Sequence, residues 1–142
     1  MTRDNSDVLA RACAEAMYAD DAAAQALGIT IEEMKCGYAR MKMTVRAEML
    51  NGHRICHGGF LFLLADAAFA YACNSQNKNT VAQNCDIDFL RPGKQGDVLI
   101  AVAEERQRGS RMGLYDVTIS RSDGKILAYF RGRSSQIKGT VI

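Results

Sequence analysis

The sequence predicts an α+β domain: a largely antiparallel sheet wrapped around one buried central helix. Two observations predict it. The stretch Phe60–Cys73 is apolar nearly all the way round, interrupted only by Asp66, and a helix without a polar face must be covered by other structure. Around it, segments of strand-like alternation outnumber helical ones, and most are sequence neighbours joined by short turns. The chain of 142 residues, 48% hydrophobic and 24% charged, fits one domain of residues 1–142 with a core large enough to enclose such a helix.

Residues 6–27 read as an N-terminal helical segment. Ser6 is placed to cap it, alanine is abundant, and Gly28 is a natural stop. Leu9, Cys13, Met17 and Leu27 form a loose apolar stripe, and the Asp20–Asp21 pair is positioned to break the segment in two. Ile29–Met34 and Tyr38–Glu48 follow as a hairpin turning at Lys35–Gly37. In the second strand Met41, Met43 and Val45 alternate with Arg40, Lys42, Thr44 and Arg46, the period of a half-buried strand. Residues 49–59, MLNGHRICHGG, form a glycine-rich loop, and the apolar helix follows. Val81–Leu90 then places Val81, Cys85, Ile87 and Phe89 on one side. Arg91-Pro92-Gly93 breaks the chain before Asp97–Glu105. Met112–Arg121 and Lys125–Arg133 flank a tight Ser122-Asp123-Gly124 turn. Helix, two strands, buried helix, four strands is the order of a hotdog fold.

Composition narrows the chemistry. The net charge of +2 does not indicate a nucleic-acid partner. Residues 101–142 hold 8 basic and 4 acidic side chains, however, so this third of the chain is suited to an anionic ligand or to a solvated face of charged strands. Five cysteines at 13, 36, 56, 73 and 85 include no C-x-x-C pair and suit reduced thiols in a cytoplasm. No apolar run approaches the roughly 20 residues of a membrane span, and the polar N-terminus lacks a signal core.

Asp66 is the only charged residue between Arg54 and Lys78. An unpaired buried carboxylate costs several kcal/mol, so one retained in a greasy helix needs partners or a task. It either points to solvent or serves as a base or nucleophile in a partly dry pocket. Gly58 and Gly59 lie where loop becomes helix, where bare backbone N–H groups favour developing negative charge. The only histidines, His53 and His57, have the spacing of two helical metal ligands, but flanking glycines oppose a helix there and no third histidine exists. No metal is expected, nor a Cys56–His57 nucleophilic pair.

Geometry adds a constraint. Gly58 and Asp66 are eight residues apart, about 12 Å along one helix, whereas a reacting carbonyl must lie within about 3 Å of both donor and base. Two helices lying antiparallel across a two-fold axis satisfy this, with Gly58 of one chain facing Asp66 of the other. A catalytic site of this kind therefore predicts a dimer with two equivalent sites.

NGHRICHGGFLFLLADAAFAYACNSQ, CDIDFLRPG and AYFRGRS together resemble the hotdog-fold acyl-CoA thioesterases, and among them the phenylacetate-degradation (PaaI) type, over roughly residues 12–140. The resemblance implies hydrolysis of acyl-CoA thioesters, phenylacetyl-CoA and its ring-hydroxylated forms foremost, without cofactor or metal, by a dimer of dimers with sites at the dimer interface. It implies Asp66 as nucleophile or base, the Gly58 N–H as carbonyl donor, and His57 and Asn51 as orienting residues. Gly59 and Phe60 are expected beside the substrate, with Leu61 and Leu64 candidates for an apolar slot. Arg106, Arg108, Arg111, Arg131, Arg133 and Lys138 are candidates for the CoA phosphates. Where relatives often carry a polar residue after the carboxylate, this chain has Ala67. A hydratase or dehydratase on the same fold, or a non-catalytic acyl-CoA-binding module, are the alternative functions.

Overall fold

The computed structural model describes residues 1–142. Helix α1 (Arg3–Ala19) starts four residues earlier than Ser6 suggests. Thr2 is its cap, accepting from the Asn5 N–H at 3.3 Å, while the Ser6 hydroxyl turns inward and donates to the Arg3 carbonyl at 2.8 Å. The chain breaks at Asp20–Asp21, where Asp21 caps the short α2 (Ala22–Ala26) by accepting from Ala24 N–H.

Strands β1 (Thr30–Lys35) and β2 (Tyr38–Thr44) form the first hairpin. β2 is shorter than the alternation to Glu48 suggests. Its pairing with the fourth strand ends at Thr44 opposite Val98, and the backbone then tightens into a 3₁₀ turn, Ala47–Met49, that still buries Val45 and Met49. Helix α3 (Gly58–Cys73) follows, then β3 (Thr80–Phe89), β4 (Val98–Arg108), β5 (Met112–Arg121) and β6 (Ile126–Gln136). The turn between β5 and β6 closes through Gly124, whose φ of +83° is a conformation glycine adopts at little cost.

All six strands pair antiparallel in the order β1-β2-β4-β5-β6-β3. α3 lies on one face of this sheet and packs on β2 to β6, while α1 packs against β1. Alternate strand residues point to the helix: Ala39, Met41 and Met43; Leu99, Ala101 and Ala103; Tyr115, Val117 and Ile119; Ala128 and Phe130. They meet Leu61, Leu64, Ala65, Ala68, Phe69 and Ala72 in one continuous core. Phe69 fixes the depth of the helix. Its ring fills the space a side chain would need at Gly132 on β6, where an added Cβ would lie 2.8 Å from ring carbons.

A helix covered on every side was expected, and a single chain does not provide it. A sheet packs on only one side of a helix, and the opposite stripe of α3 (Phe62, Leu63, Asp66, Ala67 and Ala70) remains partly exposed. β3 at the sheet edge is open as well, and Val81 and Phe89 on it are about half exposed.

Candidate active site

The loop before α3 is held at three points. Cys56 N–H donates to the Gly93 carbonyl at 2.7 Å, His57 N–H to the Met49 carbonyl at 2.8 Å, and Leu50 and Cys56 form an isolated bridge. Within the loop the Asn51 side-chain oxygen accepts from the N–H groups of His53 and Ile55 at 3.0 and 3.4 Å. Asn51 therefore shapes the turn with its oxygen, and its amide nitrogen is left without an acceptor in the chain.

His57 caps α3. Its Nδ1 accepts from Gly59 N–H at 2.9 Å, which leaves the ring proton on Nε2, facing away from the helix. The ring is exposed and meets Phe60 edge-on at 6.4 Å. With Nδ1 engaged by Gly59 and the Phe60 N–H donating to the His57 carbonyl, the first amide of the helix, Gly58 N–H, finds no acceptor in the chain. Such orphan donors are expected at helix starts, and this one opens into a cleft of about 400 Å³ lined by Asn51, Ile55, Cys56, Gly58, Leu61, Phe89, Leu90, Arg91 and Pro92. The sequence reading missed Phe89–Pro92 as a wall of this cleft; its signal was the apolar pair Phe89–Leu90 at a strand end.

Asp66 sits two turns further along α3, half-buried on its open stripe. No N–H or O–H of the chain donates to it, and burial holds its pKa above the ordinary carboxylate value. Its charge is felt by Cys73 and Cys85, whose thiols are raised first by burial and then by Asp66. Cys56 is not a thiolate at neutral pH: burial alone pushes its pKa up to about 11. His53 stays exposed in the loop, and no group of three or more His, Cys, Asp or Glu side chains is arranged to hold a metal ion.

An unpaired amide donor at the helix start, a carboxylate with a raised pKa and an apolar cleft are groups that acyl-transfer chemistry can use. The comparisons with known proteins agree. The thioesterase superfamily matches residues 53–128, from the loop before α3 into β6. The chain belongs to the thioesterase superfamily. This thioesterase is 56% identical to the acyl-coenzyme A thioesterase PaaI of Escherichia coli, over 90% of this chain and 91% of that protein. The structure of the E. coli PaaI protein from the phenylacetic acid degradation operon superposes with a TM-score of 0.94 at 54% identity, covering 94% and 97% of the two chains. A hypothetical thioesterase from Streptococcus pneumoniae, solved with coenzyme A, aligns at a TM-score of 0.75 and 26% identity over 78% of this chain and 90% of that one.

The basic residues of the thioesterase fall into separate places. On the outer sheet face Arg106 and Arg131 both engage Asp116, at 3.0 and 2.7 Å, and Arg133 reaches Asp86 at 3.2 Å. The Arg131 hydrogen bonds hold the Asp116 carboxyl below its usual pKa. Arg108 donates to the Gln76 side-chain oxygen. Arg111 and Lys138 make no ion pair and line a common cleft with Lys78. Phe60 packs half-buried beside His57, Gly59 is exposed, and Leu61 and Leu64 are buried in the core. No helix is long and apolar enough to cross a membrane.

Proposed function

We propose that residues 1–142 form one thioesterase domain that hydrolyses acyl-CoA thioesters in the cytoplasm, phenylacetyl-CoA and its ring-hydroxylated forms foremost, as a homo-oligomer with sites shared between two chains. One observation carries the reading. α3 presents a donor with no acceptor, the Gly58 N–H, and a carboxylate with no donor, Asp66, about 12 Å apart on the same rod. Neither is completed within its own chain, and an antiparallel second α3 brings the two together. The partly exposed apolar stripe beside Asp66 is the surface such a pairing would cover.

In this arrangement the thioester oxygen accepts from the partner's Gly58 N–H, and the positive end of that α3 stabilises the charge growing on the oxygen. Asp66 removes a proton from a water whose oxygen bonds to the carbonyl carbon, or attacks that carbon itself to give an anhydride that water then hydrolyses, restoring the carboxylate. By either route the carbon–sulfur bond breaks, the sulfur leaves as a thiolate that takes up a proton, and the free acid is released. A thiolate leaves readily, so the site works without a strong general acid. His57 Nε2–H and the Asn51 amide orient the acyl carbonyl at the cleft mouth, and Gly59, Phe60 and Phe89 flank the acyl group. The likeness to a PaaI from a phenylacetic acid degradation operon supports an aryl-acetyl substrate, and the likeness to a thioesterase solved with coenzyme A supports the thiol half.

Complementation tests the shared site. Gly58→Ala, which keeps the N–H but meets the Phe89 ring, is the control for Gly58→Pro, which meets the same ring and also removes the N–H at a first helical position that accommodates proline's backbone. Mixed with Asp66→Asn chains, themselves inactive, Gly58→Pro restores about a quarter of the sites at equal amounts if one chain supplies the amide and the other the carboxylate. Verified mixed dimers without activity rule out sharing. Thiol release from phenylacetyl-, benzoyl- and straight-chain acyl-CoA tests the substrate, and a straight-chain preference refutes the aryl assignment.

A further inference from the structure

The basic side chains of the C-terminal third differ in whether their charge is already neutralised. The outer sheet face carries a depression of about 520 Å³ in which Arg106, Arg131 and Arg133 alternate with Asp86, Asp88 and Asp116. Cross-strand register builds this pattern: Asp116 on β5 stands opposite Arg131 on β6, and Arg131 opposite Asp86 on β3. All three arginines already hold a carboxylate. A phosphate entering there gains no net positive charge and meets three carboxylates.

The second basic place is different. Beyond the C-terminal end of α3, a cleft of about 660 Å³ is lined by Lys78, Arg111, Gln136, Ile137, Lys138, Gly139 and Thr140. Three cations line it and no acid does, and none of the three forms an ion pair in the chain. Its walls are fixed by hydrogen bonds from three segments. Asn79 donates through its side chain to the Lys138 carbonyl at 3.1 Å and accepts at its own carbonyl from Ile137 N–H at 2.8 Å. Asn77 accepts from the N–H groups of Val141 and Ile142, both at 2.9 Å. Gln136 N–H donates to the Arg111 carbonyl at 2.7 Å. The cations are therefore held on a braced rim.

This cleft lies at the end of α3 remote from Gly58. Arg111 and Gln136 also border Cys73, the last residue of α3, together with Arg108 and Tyr115. From Asp66 to Cys73 is seven residues, about 10 Å of helix, and Lys78 lies just past the following turn. A long flexible arm with its thioester at Asp66, running along α3 toward its C-terminal end, would reach the rim that carries Lys78, Arg111 and Lys138.

We propose that Lys78, Arg111 and Lys138 form the subsite for the phosphates at the nucleotide end of the thioester substrate, and that the outer arginine row is a structural charge ladder. The proposal rests on the acyl-CoA reading above. Arg111 supplies a planar fork for phosphate oxygens, and the two lysines supply mobile point charges.

The test compares phenylacetyl-CoA with phenylacetyl-pantetheine, the same thioester without the nucleotide. Wild type prefers the CoA ester, and its KM for that ester rises with salt. In the triple variant Lys78→Gln, Arg111→Gln, Lys138→Gln the preference collapses, with the KM for the CoA ester up by about 10-fold or more. The single Arg111→Gln variant gives part of that loss and remains informative if the triple variant folds poorly. Retained preference in the folded variants overturns the proposal, as does a loss caused instead by Arg131→Gln. If wild type hydrolyses neither ester, the acyl-CoA reading fails. Calorimetry with adenosine 3′,5′-bisphosphate then decides the cleft on its own: binding that the triple variant abolishes upholds a phosphate site, and absence of binding to wild type refutes it.

Discussion

The ring of Phe89 rests against Gly58: a methyl group built on that glycine would come within 2.9 Å of the far end of the ring. The first amide of α3 is thus roofed by an aromatic residue from the end of β3, and only a missing side chain lets the two approach so closely.

Gly58→Ala should therefore push the Phe89 ring aside while leaving the amide in place. Phe89 is half exposed and has room to turn, so the melting temperature should change little. The donor shifts relative to the cleft, and kcat/KM with an aryl-acetyl thioester should fall by about 10- to 100-fold. Trimming the ring in Gly58→Ala/Phe89→Leu should recover part of that loss. A double variant no better than Gly58→Ala would show that the ring does not govern this position.

Asp66 predicts a pH dependence with a definite sign. Burial raises its folded pKa above the unfolded value of about 3.9. Its favourable contribution to folding is then fully present below the unfolded value and is lost as pH rises through the folded one. At neutral pH the ionised group weakens the fold, and Asp66→Asn should melt no lower than wild type. The same variant should lose roughly 10²- to 10⁴-fold in kcat. In wild type the acidic limb of kcat/KM should lie above the ordinary carboxylate range. A limb at or below that range would contradict the raised pKa.

His57 has two separable parts, a cap and a free ring N–H. His57→Ala removes the cap on Gly59 and should cost about 1 kcal/mol of stability, read by urea or thermal melting. Asparagine is a good helix cap, so His57→Asn should recover most of that stability. If Nε2–H orients the substrate, His57→Asn should leave turnover low despite the restored fold. Recovery of both together would reduce His57 to a cap.

Much of this was legible in the sequence because the strongest signals are periodic. The apolar run of α3, the Met41–Met43–Val45 alternation and the Ser122-Asp123-Gly124 turn each specify local structure through their own spacing. Asp66 stood out because a lone charge in such a run is costly. The cap at Thr2 was missed because Thr2 and Ser6 are both good caps, and only the observed φ and ψ decide between them. The true end of β2 depends on where β4 stops pairing, a fact of partner length invisible in β2 itself. The arginines were read as one pool because sequence reports charge but not neighbours. Asp116 lies across a strand boundary from Arg131, and that pairing exists only in the folded sheet. Lys78 was passed over for the opposite reason, as an isolated lysine brought beside Arg111 and Lys138 only by the fold.

Gly132 and Phe69 give this arrangement its tolerance. The ring seats where a side chain would be, so the height of α3 above the sheet is set by a hydrogen atom on β6. Gly58 and Asp66 ride on the same rigid rod, both on the N-terminal side of that seat. Any residue larger than glycine at 132 would lift both at once and keep their mutual spacing while misaligning them with everything on the sheet. The helix acts as a ruler with its zero mark at Gly132, and errors there displace the whole scale rather than one graduation.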